Sequence, residues 1–303
     1  MIKFNQYLKE KYGGRIQKIS IDAGFSCPNR DGNVAFGGCT FCNNTSFSPY
    51  AMSEKTVEEQ IEKSIQFYTK RFKNIKGYIA YFQAFSNTYA PVEKLKEIYD
   101  KAMEYDQIIG MSIGTRPDVV PEPVLDLIAT YTTEKPEIWI EYGLQTANIK
   151  TLRNINRGHG VSEFVDAVLR TKKRPGIKVC AHIIVGLPGD EYEDYIETAK
   201  LIAVLPIDGI KIHPLHVVKH TVMARQFANG EFGVLELEEY AKIVADILDV
   251  LPENIIVQRL TGEASDDELI APEWCSSKRK MDVLKAIDQA VEKKKEEKNL
   301  LKI

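Results

Sequence analysis

Lys178-Val-Cys-Ala-His182-Ile-Ile-Val185-Gly186-Leu-Pro188-Gly189 leads into the segment Tyr192–Leu205, which leads in turn into Gly209-Ile-Lys-Ile212. The first run is apolar and β-branched along its length, which suits a strand buried on both faces. The second repeats its apolar residues at a period near 3.6 and reads as a helix, and the third is again a short β-branched run. Strand, helix and strand in that order make a right-handed crossover between parallel strands. The alternation continues outward in both directions. Further strands are expected at Arg15–Asp22, Tyr78–Gln83, Ile108–Ile113, Ile138–Gly143 and Ile255–Gln258. Helices are expected at Thr56–Arg71, Val92–Glu104, Pro121–Tyr131, Ser162–Lys173 and Leu235–Leu251. Their start signals are Ser53 ahead of Thr56, Pro91 before Val92, and Pro121 in a first turn. Seven strands alternating with helices predict an α/β fold, a partial or complete TIM-type (β/α) barrel, whose chemistry lies on loops after the C-terminal strand ends.

The barrel core is expected over residues 1–260, with a cysteine-bearing loop at 24–46. Residues 261–303 form a C-terminal extension packing on the barrel, in which Ser276–Ile303 reads as one helix with a charged end. Val217–Gly233 is polar and poorly periodic, and reads as a long loop over the barrel mouth.

The chain has 303 residues, 44% hydrophobic and 27% charged, the composition of a globular protein with a sizeable core. A net charge of -3 gives no global electrostatic case for nucleic acid or acidic lipid and argues against a strongly basic binder, though not against a local basic patch. No apolar run is long enough to cross a bilayer, and the N-terminus MIKFNQYLKEKYGGRIQ lacks the apolar core of a secretory signal. A cytoplasmic location is expected, where stable disulfides are rare. Five cysteines then need another explanation, and three of them fall within sixteen residues.

Those three stand in Gly24-Phe-Ser-Cys27-Pro-Asn-Arg-Asp-Gly-Asn-Val-Ala-Phe-Gly-Gly-Cys39-Thr-Phe-Cys42. The C-x2-C pair lets two thiolates reach one metal or cluster, and the Pro/Gly-rich stretch behind Cys27 can fold back toward them. Gly37-Gly38 permits close backbone approach and positive φ ahead of Cys39. Thiolates select zinc or Fe–S clusters. Structural zinc wants four closed ligands, and no fourth Cys or His is near, the histidines starting at His159. Three cysteines on a cubane leave one iron open. Spacing alone therefore favours an Fe–S cluster, with zinc completed by a distant ligand and free structural thiols as alternatives. Cys180 and Cys275 are isolated, as small buried hydrophobes usually are.

The C-T-F-C end, with Phe41 between the last two cysteines, resembles the C-x-Φ-C end of the radical S-adenosylmethionine (SAM) cluster motif. The superfamily usually has three residues in its first gap, and here there are eleven. The whole segment CPNRDGNVAFGGCTFC resembles the YhcC-like subgroup with this longer gap, related to the elongator catalytic subunit and oxygen-independent coproporphyrinogen dehydrogenase families. The similarity runs from about Arg15 to Lys285. It implies a radical SAM barrel with a 4Fe–4S cluster on Cys27, Cys39 and Cys42, SAM on the open iron, and reductive cleavage to a 5′-deoxyadenosyl radical that abstracts hydrogen. It also implies a low-potential electron donor, flavodoxin or ferredoxin.

The resemblance gives other strand ends candidate SAM contacts. Tyr81-Phe-Gln83-Ala-Phe-Ser86-Asn87-Thr88-Tyr89 stands where the superfamily carries a Gly-Gly-Glu-type segment, so Gln83, Asn87 and Thr88 would serve without the carboxylate. Gly114, in Ser112-Ile-Gly-Thr115-Arg116-Pro-Asp118, stands where relatives often place a ribose-binding Glu, and Arg116 with Asp118 also reads as a surface pair. Gln145 ends the fourth strand and Arg157 stands in Asn-Arg157-Gly-His159-Gly; both match SAM-contacting positions of the porphyrin relative, as His182 matches a ribose-binding Asp. A lone His in a strand is otherwise most often a satisfied core residue. Glu141, if turned inward, requires a hydrogen-bonding partner. His213, His216 and His220 read as substrate-pocket lining, and Cys275 as a packed thiol at the cavity border. The competing function is a non-catalytic Fe–S or zinc module for electron transfer, although a carrier usually covers all four irons with protein ligands. The substrate stands undecided between a small molecule and RNA, since no basic surface is visible in the sequence.

Overall fold

The computed structural model describes residues 1–43 and 54–300. Its elements run β1 Ile2–Lys3, α1 Phe4–Tyr12, β2 Arg15–Ile21, α2 Pro28–Asp31, α3 Val57–Arg71, β3 Ile75–Phe82, α4 Val92–Met103, β4 Ile108–Thr115 and α5 Glu122–Thr130. They continue with β5 Glu137–Gln145, α6 Ile149–Asn154, α7 Val161–Lys172, β6 Ile177–Val185, α8 Tyr192–Val204, β7 Gly209–Pro214 and β8 Val217–Val218. The chain closes with α9 Val222–Ala228, α10 Leu237–Val250, β9 Ile256–Arg259, β10 Leu269–Ala271 and α11 Lys280–Leu300.

Eight strands form one parallel sheet in the order β1-β9-β7-β6-β5-β4-β3-β2. Its edge strands are not paired with each other, so the barrel is partial, with a seam between β2 and the β1/β9 edge. The seven expected strands are all present. The eighth, β1, is only two residues long and carries no periodicity that a sequence reading could use. Helix α3 starts at Thr56, whose hydroxyl accepts from the Glu59 backbone N–H at 3.2 Å while the Glu59 carboxylate accepts from the Thr56 N–H at 2.9 Å. This capping box sets the start there; Ser53, like residues 44–46 of the expected cysteine loop and 301–303 of the tail, lies outside the described residues.

Val217–Gly233 is not the long loop its polarity suggested. β8 pairs antiparallel with β10, and Thr221 caps α9 by accepting from Ala224 N–H at 3.0 Å. The driving force is local burial: Val217, Val218 and Met223 are all buried, too few residues to register as a period. No helix among the described residues is long and apolar enough to cross a membrane.

Alternate residues of each strand point into the barrel and stack in layers. The floor is apolar: Ile16, Ile79, Trp139, Cys180 and Ile256 pack with Phe4 and Leu8 of α1. Phe4 meets Trp139 edge-on, with ring centroids 5.6 Å apart. Buried Glu137 fastens this plug, accepting from Tyr7 Oη at 2.9 Å, Tyr12 Oη at 2.8 Å, Lys11 Nζ at 2.7 Å and Trp139 Nε1 at 2.9 Å. The barrel is thus closed below, and its working space lies above and at the seam.

Candidate active site

The layer above the floor is polar. Lys18, Tyr81, Ser112, Glu141, His182, Lys211 and Gln258 come from seven different strands, each one step of the strand alternation above a floor position. Glu141 is their hub and is 1% exposed. Its Oε1 accepts from Lys18 Nζ at 2.8 Å and from the Ser112 hydroxyl. Its Oε2 accepts from His182 Nε2 at 2.7 Å and from Lys211 Nζ, which also donates to Tyr81 Oη at 3.0 Å. Lys18 Nζ reaches Gln258 Oε1 at 2.8 Å. Burial opposes charge on Glu141, yet Lys18 and Lys211 outweigh it and hold the carboxyl well below its usual range. Burial, reinforced by Lys211, pushes His182 down to about 4. The imidazole is therefore neutral at pH 7, and its Nε2–H donates to the carboxylate. The partner that an inward Glu141 requires is a set of four side chains.

A cavity of about 240 Å³ opens over this layer. Cys27, Cys39 and Cys42 all line it, with Phe41 between the last two. Glycines with positive φ, Gly37 at 80° and Gly38 at 83°, turn the chain into Cys39. The loop is clamped from the turn after α6: Thr40 N–H donates to Ile155 O at 3.0 Å, Asn156 Nδ2 to Gly38 O at 2.8 Å, and Asn29 Nδ2 to Asn156 O at 2.5 Å. Two donors point at the Cys39 sulfur, Arg157 Nη1 at 3.5 Å and Asn29 Nδ2 at 3.6 Å. Burial and the neighbouring Cys39 push the Cys42 thiol up to about 12, while Arg30 pulls the other way. The sulfurs are near enough to feel one another, so binding of soft metal to the deprotonated thiolates is what would relieve the site. No three His, Cys, Asp or Glu side chains among the described residues are arranged to hold a single metal ion.

Five further sequence candidates meet on this cavity: Gln83, Gln145, Arg157 and His182, besides Phe41. Gly143 makes the arrangement possible. A Cβ there would stand 2.5 Å from Arg157 Nη2 and 2.6 Å from Gln145 Nε2; with none, Arg157 Nη2 donates to Gly143 O at 2.7 Å. Gln145 itself is held at a φ of 76°, a strained conformation for a residue with a side chain.

Asn87 and Thr88 do not join them. Asn87 Nδ2 donates to Gly114 O at 2.8 Å and Phe82 O at 3.1 Å, and Thr88 Oγ1 shares a 2.6 Å bond with Thr115 Oγ1. Both are buried and spend their side chains on the strand ends; their neighbours Phe85 and Ser86 face the cavity instead. Gly114 lines the cavity, and a Cβ there would stand 3.2 Å from Phe82 O, a tight approach to the backbone. Arg116 and Asp118 are no surface pair. Arg116 is 2% exposed, fork-bonded to Asp118 at 2.9 and 2.7 Å, and donates to Arg157 O at 2.7 Å. His213 and His216 line the cavity, whereas His220 is exposed beyond β8. Cys275 is buried away from the lining, and burial raises its thiol pKa, as for a packed side chain. Arg259 and Glu263, in the seventh strand end expected to border the substrate cavity, do line it; sequence reading missed Lys18 and Lys211, legible only as inward positions of their strands.

A model of the Radical SAM superfamily matches residues 29–202, and one of the Radical_SAM C-terminal domain matches 207–293. The chain is 39% identical over 275 residues to Protein YhcC of Escherichia coli strain K12, covering 91% of this chain and 87% of that one. It is 41% identical over 292 residues to YtqA of Bacillus subtilis strain 168, covering 95% and 88%. Among solved structures it resembles Elp3 of the archaeon Methanocaldococcus infernus, with a TM-score of 0.61 and 19% identity over 92% of this chain and 63% of that one. That last likeness bears on the fold alone.

Proposed function

The chain belongs to the radical SAM superfamily, and from that premise we propose that it holds a 4Fe–4S cluster on Cys27, Cys39 and Cys42 and binds SAM against the cluster in the cavity above Glu141. The observation that carries this reading is that three thiols on one loop and the polar ends of β3, β5 and β6 line a single cavity. When bound and reduced by one electron, the cluster supplies reductive cleavage of SAM to methionine and a 5′-deoxyadenosyl radical, which takes a hydrogen atom from substrate.

The protein's own part is positioning and charge. Arg157 and Asn29 direct N–H groups at the Cys39 sulfur and so fix its place in the loop. Gln145, Gln83 and Ser86 offer amide and hydroxyl groups to the polar ends of SAM. Neutral His182 can accept at Nδ1 while Glu141 fixes its orientation through Nε2. Phe41 and Phe85 cover the cavity beside the cysteines and limit water there. Reduction calls for a low-potential donor such as flavodoxin or ferredoxin, and cysteines that form no disulfide suit the reducing cytoplasm.

The test is anaerobic reconstitution with iron and sulfide, followed by SAM binding and reduction. SAM should perturb the paramagnetic signal of the reduced cluster, and 5′-deoxyadenosine should accumulate. A loaded, reduced sample that yields no 5′-deoxyadenosine from SAM would overturn the reading.

A further inference from the structure

The seam of the partial barrel holds a second concavity. Its outer rim carries Lys9 of α1, Arg15 at the start of β2 and Lys73 just ahead of β3. It is also walled by Lys18, Lys211, Arg259 and the exposed Lys280, and no Asp or Glu among the described residues lines it. These four cations are compensated from outside the wall: Glu141 holds Lys18 and Lys211, and Glu263 holds Arg259 at 3.0 Å and Lys280 at 2.9 Å. The three rim cations are exposed and make no ion pair among the described residues. A chain with a net charge of -3 thus concentrates uncompensated positive charge in one concave place, where field lines focus.

Arg15 is not a loose surface side chain. Its guanidinium lies 3.9 Å from the centroid of Phe72, and Tyr68 stacks on the same ring with an interplanar angle of 15°. Stacking on a ring face leaves the N–H edges of a guanidinium free for oxygen acceptors. The concavity also has length. Both Arg15 and Ser20 line it, so it follows β2 for ~17 Å at the usual rise per residue. Arg15 and Lys73 stand together at the N-terminal ends of the paired strands β2 and β3, a grouping that suits several negative charges rather than one. Tyr81, Gln83 and Arg259 line both the seam and the cavity beneath the cysteines, so the two spaces share a wall of three side chains.

We propose that the seam is the substrate site, and that the substrate carries several phosphate groups, held along the rim by Lys9, Arg15 and Lys73 while its reacting carbon passes Tyr81 and Gln83 into the cavity. The chemistry rests on the radical SAM reading above; the binding does not. Free nucleotides and single-stranded nucleic acid share this phosphate chemistry, and the test separates them.

Direct binding to the reconstituted full chain would be measured by fluorescence anisotropy for a short labelled oligouridylate and by calorimetry for ATP, each across a salt series. Saturable, salt-sensitive binding of the oligouridylate alone assigns a polymer, and of ATP alone or of both assigns a nucleotide-sized substrate. Either supports the seam, and binding of neither overturns it. In the Lys9→Glu/Lys73→Glu variant the affinity should fall at least about tenfold with a shallower salt slope. The milder Lys9→Gln/Lys73→Gln variant should fall less, and affinity unchanged in a folded variant would sink the proposal. A protein that cleaves SAM yet binds neither probe loses only the seam, whereas one that binds the probes yet never cleaves SAM loses only the chemistry.

Discussion

In the cavity beneath the cysteines, Arg116 is answered by Asp118, Arg259 by Glu263, and Arg157 by the Gly143 carbonyl and the Cys39 sulfur, while Arg30 at its edge lies over the Phe85 ring. In the adjoining seam, three exposed cations make no ion pair among the described residues, and Arg15 rests on the Phe72 ring alone. The two spaces share Tyr81, Gln83 and Arg259, so the difference is not one of distance. Charges matched within the protein keep fixed orientations and suit a resident group that must be held in one pose. Unmatched charges at a rim cost little while solvated and gain when an anion arrives from water. The cavity is organised around something that stays, and the seam around something that comes and goes.

The largest effect that can divide the two regions is Cys39→Ala. Cluster absorbance and 5′-deoxyadenosine formation should fall to background, while the binding of phosphate-bearing probes at the seam persists. Simultaneous loss of both in a variant with a native circular dichroism spectrum would show that the two spaces are one site. Next is Glu141→Leu, which strikes the layer beneath both. It leaves Lys18 and Lys211 buried without a counter-charge, and breaking such a buried network costs about 3–5 kcal/mol. Urea unfolding checks this, and adding Lys211→Met should recover part of the loss; no recovery would mean that the two charges are independent.

Gly143→Ala sharpens the comparison on the cavity side alone. The new Cβ meets Arg157 Nη2 and Gln145 Nε2 at 2.5 and 2.6 Å, and both side chains must shift. SAM affinity should drop about tenfold, equivalent to ~1.4 kcal/mol, with seam binding unchanged. Equal SAM affinity in the variant would remove Gln145 and Arg157 from the SAM site.

The strand-end residues were legible for the same reason the fold was. Continuous β-branched runs such as Lys178–Val185 mark fully buried strands, and the residues just past their C-terminal ends face the mouth. Among such positions the family resemblance singled out Gln83, Gln145 and His182, which do meet on one cavity, and Asn87 and Thr88, which do not, because a turn sends their side chains back into the strand ends. Helix α1 went unread. Its two buried residues, Phe4 and Leu8, are one turn apart amid charged neighbours, and only the barrel floor explains them. The seam was illegible for a deeper reason. Lys9, Arg15 and Lys73 are separated in sequence and diluted by 43 acidic residues, so their convergence exists only once β2 becomes a sheet edge.

Acidification separates the regions least strongly but by a mechanism specific to one of them. Burial holds His182 down to about 4 and His159, beside the cysteine-loop clamp, down to about 3, against an ordinary value of 6.5. Both are neutral when folded, and both take up a proton near their ordinary value when unfolded. The unfolded state therefore binds more protons from pH 6.5 down to about 4, and stability falls as pH drops through that window. The slope approaches ~1.4 kcal/mol per pH unit for each histidine. Unfolding midpoints measured from about pH 7 to pH 5 should fall in the wild type and fall less steeply in His182→Gln. Equal slopes would mean that His182 is already charged in the folded protein, and that Glu141 holds an imidazolium rather than a neutral ring.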